Sequence, residues 1–275
     1  MLPVGPTSSY VCQHDPRFSY WLYVPRQYAT APPAHRLILV AIHGTDRNAP
    51  FLRSLFEAFA DRTGVLVVAP HFPGGIGDPH DVHAYKYLEG YGVRYDRVLT
   101  VMIDDIADRF SANAERFLLF GFSGGAHFVH RFWYLYPERL RAVAVAAPGS
   151  VTLPDASRKW WTGLADVGAR FGRNVDFQAM ARVRAFLVVG QNDTSTDAIN
   201  RSPDSPYWAP DAHVAGRTRI ERLKTLRDAL AAKGVVATHL ELPGVGHEYR
   251  PMVEAAAAFF EREVSELAAG NRRAI

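Results

Sequence analysis

Residues 116–136, RFLLFGFSGGAHFVHRFWYLY, decide how this chain is read. Residues 117–120 form an apolar run of strand length that stops at Gly121. Residues 124–136 carry apolar side chains at helical spacing. Between them Gly121-Phe122-Ser123-Gly124-Gly125 matches G-x-S-x-G, in the strand–turn–helix setting that a nucleophile elbow requires. The reason is steric: such a sharp turn puts the serine in strained φ/ψ and crowds its neighbours, so glycines flank it. The turn lifts Oγ off the sheet and directs the next helix's first N–H groups toward it. The competing reading is a glycine-rich turn with an incidental serine.

Outward from this stretch, strand-like and helix-like segments alternate. Apolar runs of strand length fall at residues 18–24, 37–43, 65–69, 143–147, 185–190 and 235–242. Helical periodicity predicts helices at 49–62, 95–110, 218–233 and 254–268. A loop rich in Gly, Pro, His and Asp spans 71–92. Residues 150–183 and 195–214 break the rhythm as two insertions in what reads as one domain over 1–275. Buried strands alternating with helices predict an α/β fold with a mostly parallel central sheet and helices on both faces. Ligands in such sheets sit beyond the carboxyl ends of the strands.

A serine hydroxyl needs a general base, usually histidine, which an acid orients. Asp193 lies just past the strand AFLVVG, whereas Asp155, Asp166, Asp176 and Asp197 have no strand to aim them. His247 follows LELPGVG, just past the last strand. His213 lies in a polar loop and His239 inside a strand. Ser123, Asp193 and His247 therefore stand in the chain order Ser, acid, His. Acyl transfer also needs N–H donors at the developing oxyanion. The candidates are Gly124, after the serine, and Thr45, in the His43-Gly44-Thr45 turn that ends an earlier strand.

The stretches LVAIHGTDRNA, LFGFSGGAHF, VVGQNDT and LPGVGHE together resemble the serine α/β-hydrolase superfamily, from Phe18 onward. HGT-x-R-x-A and APGSVTLPD resemble the polyhydroxybutyrate-depolymerase and feruloyl-esterase-like esterases. The resemblance implies an α/β-hydrolase fold and an ester hydrolase with Ser123 as nucleophile, Asp193 as orienter and His247 as base. Secreted members of that group carry disulfides and signal peptides, which this sequence lacks.

The rest of the sequence narrows the function classes. The chain has 275 residues, 48% of them apolar and 21% charged, enough to bury a large core. One cysteine, Cys12, excludes an intramolecular disulfide and a Cys-based zinc site. With no secretory leader at the N-terminus, that predicts a cytoplasmic protein. No apolar run reaches the ~18 residues of a membrane span. The net charge of +3 is interspersed, which argues against nucleic acid. Asp78, His80, Asp81 and His83 match no metal-ligand spacing, and His127 and His130 read as packing or hydrogen-bonding histidines. Gly74-Gly75-Ile76-Gly77 is no nucleotide fingerprint, so no cofactor is expected.

The expected partner is a small-molecule ester, small or medium and partly apolar. Phe122, Trp160, Trp161 and Trp208 are the candidates to contact it, since aromatics in insertions over strand ends often form a pocket. An acyltransferase or thioesterase would use the same three residues. A non-catalytic binding protein on this scaffold would be expected to have lost one of them. Oligomeric state and stereochemistry leave no trace in the sequence.

Overall fold

The computed structural model describes residues 2–197 and 199–272. Nine strands form the central sheet: β1 (Gly5–Pro6), β2 (Tyr10–Val11), β3 (Ser19–Val24), β4 (Leu37–Ile42), β5 (Leu66–His71), β8 (Asn113–Phe122), β9 (Leu140–Ala146), β10 (Arg184–Gly190) and β11 (Thr238–Leu242). A separate hairpin pairs β6 (Glu89–Gly90) with β7 (Val93–Arg94). The order across the sheet is β1-β3-β5-β4-β8-β9-β10-β11, with β2 also on β3. From β5 to β11 every pairing is parallel, while β3 joins β5 antiparallel. All six residues of β4 are buried, as are residues 117–122 of β8, as expected of parallel strands covered on both faces.

The helices are α1 (Ala49–Leu55), α2 (Glu57–Thr63), α3 (Tyr95–Phe110), α4 (Gly124–Leu135), α5 (Val167–Phe171), α6 (Phe177–Ala181), α7 (Arg219–Ala231) and α8 (Tyr249–Arg272). Two phenylalanines of β8 mark the two faces. Phe120 meets Phe56, at the α1–α2 junction, with ring centroids 5.1 Å apart, and Phe117 meets Phe132 of α4 at 6.1 Å.

Several boundaries move. The helix predicted at 49–62 breaks at Phe56 (φ −99°, ψ 2°) into α1 and α2. The strand predicted at 117–120 runs over Asn113–Phe122, its polar N-terminal half pairing irregularly beside β4 and β9. The last helix starts at Tyr249 because Pro251 falls in its first turn, where no intrahelical N–H is needed. The insertion at 150–183 contains α5 and α6, and among its described residues the one at 195–214 contains no helix or strand. No helix among the described residues is long and apolar enough to cross a membrane.

Candidate active site

Ser123 sits between β8 and α4 with φ 52° and ψ −113°, a conformation that side-chain-bearing residues rarely adopt. Its N–H donates to Ala146 O at 2.9 Å, which ties the turn to the end of β9. The flanking glycines are steric necessities. A Cβ on Gly121 would collide with the Gly125 carbonyl, and a Cβ on Gly125 with the Ile42 carbonyl. The tight turn aims the serine hydroxyl away from the sheet, as G-x-S-x-G requires.

The loops after β10 and β11 bring the other two candidates to it. His247 Nε2 lies 2.9 Å from Ser123 Oγ, and His247 Nδ1 lies 2.7 Å from Asp193 Oδ2. Asp193 is 2% exposed, and burial alone pushes a carboxyl up. The hydrogen bond and charge of His247 and the Arg219 guanidinium outweigh that and hold it below the usual carboxylate range. Arg219 Nη1 donates to Asp193 Oδ1 at 2.8 Å. The Phe122 ring stacks on the His247 imidazole at 4.6 Å and touches Tyr249 at 4.1 Å, so this residue buttresses the histidine.

Thr45 and Gly124 meet beside the serine. A Cβ on Gly124 would lie 3.1 Å from Thr45 N. Gly124 opens α4, so its N–H has no intrahelical acceptor. The neighbouring Gly44 N–H is already used, donating to Tyr249 Oη at 2.7 Å, while Tyr249 Oη donates to Asp46 Oδ1 at 2.6 Å. Thr45 N–H has no acceptor among the described residues. His43 anchors this loop: it is fully buried, its Nδ1 donates to Gly44 O, and its Nε2 accepts from Phe72 N–H at 3.0 Å. Burial pushes its pKa down to about 3, so it is a neutral strut.

Ser123 opens onto a cavity of about 360 Å³. Its wall includes the basic side chains of Lys86, Arg201 and Arg219 with His83 and Ile199, and none of the aromatics that the sequence suggested. Trp160 and Trp208 do not line it. They border a separate cleft of about 530 Å³ with Arg158 and Asp211. Trp161 is 9% exposed and lines neither; its Nε1 donates to Tyr207 O at 3.0 Å. His127 and His130 hold the chain after β9, their Nε2 atoms accepting from Ser150 and Thr152 N–H at 3.0 and 2.9 Å. Asp78 and Asp81 accept backbone N–H groups of their own loop. Among the described residues no group of three His, Cys, Asp or Glu is placed to hold a metal ion.

Sequence reading missed Arg219, Lys86, Arg201 and Tyr249. Two of them leave a signal. Arg219 is the first residue of α7, where the helix dipole disfavours a cation, so a specific partner is implied. Lys86 is one of four lysines in the chain and sits in the apolar run AYKYL.

Solved structures share this architecture. A poly(3-hydroxybutyrate) depolymerase from Bordetella parapertussis matches with a TM-score of 0.74 at 24% identity, over 94% of this chain and 90% of that one. Poly(aspartic acid) hydrolase-1 from Sphingomonas sp. KT-1 matches with a TM-score of 0.71 at 20% identity, over 94% and 98%. An S-formylglutathione hydrolase from Agrobacterium tumefaciens matches with a TM-score of 0.64 at 17% identity, over 94% and 93%. No protein-family model and no curated protein sequence matches the chain. At such identities the likeness fixes the architecture, and this chain adopts the α/β-hydrolase fold.

Proposed function

We propose that the chain is a serine ester hydrolase that works through an acyl-Ser123 intermediate. The observation that carries this is the unbroken relay from Asp193 through His247 to a strained Ser123, with contacts of 2.7 and 2.9 Å. His247 Nε2 accepts the Ser123 proton as Oγ attacks the ester carbonyl, and Thr45 and Gly124 N–H groups receive the oxyanion. Collapse of the tetrahedral adduct expels the alcohol, which takes the proton from Nε2. Water then repeats the sequence on the acyl-serine, releasing the acid and restoring the hydroxyl. Asp193 holds the imidazole with its proton on Nδ1, and Arg219 fixes Asp193. Names of proteins that share the fold, a poly(3-hydroxybutyrate) depolymerase and an S-formylglutathione hydrolase, support hydrolysis of an ester or thioester bond.

The test is covalent. A fluorophosphonate probe should label the purified protein on Ser123, with loss of 4-nitrophenyl acetate turnover in proportion to labelling. Labelling of another serine with turnover lost would refute the assignment.

A further inference from the structure

The cavity at Ser123 gathers three basic side chains, two of them without a matching carboxylate among the described residues. Arg219 is accounted for by Asp193. Lys86 and Arg201, on the same wall, have no carboxylate partner among the described residues. Lys86 is 3% exposed, and its Nζ contacts one side-chain partner, His83 Nδ1, at 2.8 Å. The Arg201 guanidinium lies 3.1 Å from both ring nitrogens of the same His83. Burial and these two cations push the His83 pKa down to about 3, so the imidazole is neutral and balances neither. Asp81 is engaged elsewhere, accepting from Tyr207 Oη at 2.8 Å and from two backbone N–H groups. A buried ammonium with only neutral partners is costly and gives up its proton readily, and an anion bound beside it restores the charge.

The unmatched charge stands beside the reacting centre. A Cβ on Gly124 would lie 2.9 Å from Lys86 Cε and 3.1 Å from Thr45 N. The ammonium, one bond beyond Cε, is therefore at the edge of the corner formed by Gly124 and Thr45. A substrate anion held there would lie only a few bonds from a carbonyl placed at Ser123.

We propose that the ester carries a carboxylate a few bonds from its scissile carbonyl, which Lys86 and Arg201 hold in the cavity beside Ser123. The proposal rests on the ester-hydrolase reading and names its substrate class. It also explains why Lys86 is buried among aromatic residues of the AYKYL run rather than exposed on the loop.

Two pairs of esters of matched shape and different charge test it. On the acyl side, methyl hydrogen succinate is compared with methyl 4-methylpentanoate. On the alcohol side, 3-acetoxypropanoate is compared with 3-methylbutyl acetate. The charged member of at least one pair should show kcat/KM about ten- to a hundredfold higher, the scale of hydrogen bonds to charged groups. Lys86→Met and Arg201→Met should bring that ratio toward one, and Arg201→Glu should favour the neutral member. Arg201 is only half-buried, so its variants keep the test open if Lys86→Met fails to fold. Equal or lower kcat/KM for the charged member in both pairs, in protein whose Ser123 reacts with fluorophosphonate, overturns the proposal and leaves the hydrolase reading standing. No turnover of any of the four esters together with an unreactive Ser123 overturns both.

Discussion

Two clefts border the insertions that follow β9 and β10, and they differ in which side chains reach Ser123 and which do not. The smaller, about 360 Å³, holds Ser123 and is walled by Lys86, Arg201 and Arg219. The larger, about 530 Å³, is bordered by Trp160 and Trp208 and contains none of Ser123, Asp193 or His247. The bulky aromatics that promise an apolar pocket are engaged in holding loops together. Trp160 Nε1 donates to Tyr87 O at 3.1 Å, Tyr87 stacks on Tyr207 at 4.5 Å, and the buried Arg131 lies over the Tyr87 and Trp161 rings. The loop at 71–92, rich in Gly, Pro, His and Asp, supplies His83 and Lys86 to the cavity wall. In this molecule the wall beside Ser123 carries basic groups without carboxylate partners, Lys86 and Arg201, and the aromatics staple the loops.

The smaller cleft can be disabled by single substitutions that leave the larger one untouched. Ser123→Ala should lower kcat by about 10⁴ or more, measured on any ester that the wild type turns over. Asp193→Asn should cost up to about 10⁴, because the asparagine favours the wrong imidazole tautomer. Retained activity in Ser123→Ala would move the reacting centre elsewhere, the larger cleft included.

Trp161→Ala removes a nearly buried ring and leaves the Tyr207 carbonyl without its Nε1–H donor. It should lower unfolding stability by about 3–5 kcal/mol, read from denaturant titration. A loss well under 1 kcal/mol would show that these insertions are not held by their aromatics.

These outcomes bear on how much of the molecule is legible in its sequence. The buried strands and the elbow are readable because they follow from local rules: a buried strand is apolar throughout, and a strained serine needs glycines beside it. Asp193 and His247 are readable because each sits one step past a strand end. The helix break at Phe56 is not, since the apolar periodicity continues across it. Lys86 and Arg201 are separated by 115 positions and meet only through His83, so no spacing announces them. The aromatics mislead because composition records how much apolar surface a loop carries and not which side of it faces the serine.

Lys86 gives a pH test that sharpens the contrast between the clefts. Burial, together with Arg201 and Arg47, pushes its pKa from 10.5 down to about 6. Between those values the unfolded chain binds one proton more than the folded chain at this site. Stability from this site therefore rises with pH over that window and is flat below it. Lys86→Met removes the penalty. Its melting temperature should exceed the wild type's most near pH 6, and the excess should shrink as pH rises toward 10. Each kcal/mol regained should raise Tm by roughly 2–4 °C. A constant difference across that range would mean that Lys86 is not desolvated in the folded chain.

The smallest effect belongs to Trp208. Its side chain borders the larger cleft, and the residue is 41% exposed. It stacks on no other ring among the described residues, unlike its neighbour Tyr207, which lies flat against Tyr87. An apolar contact with a substrate is worth ~1–3 kcal/mol, enough to shift selectivity by tens of fold or more. A surface residue with no such contact leaves stability within about 0.5 kcal/mol of wild type when truncated. Trp208→Ala should therefore keep the ratio of kcat/KM between acetate and hexanoate 4-nitrophenyl esters within about twofold of wild type. The wild-type ratio for the succinate and 4-methylpentanoate methyl esters should be kept as well. A tenfold change in the first ratio with the second unchanged would place the apolar part of the ester in the larger cleft. The two clefts would then be the two ends of one substrate path, with the carboxylate held at one end and the hydrocarbon at the other.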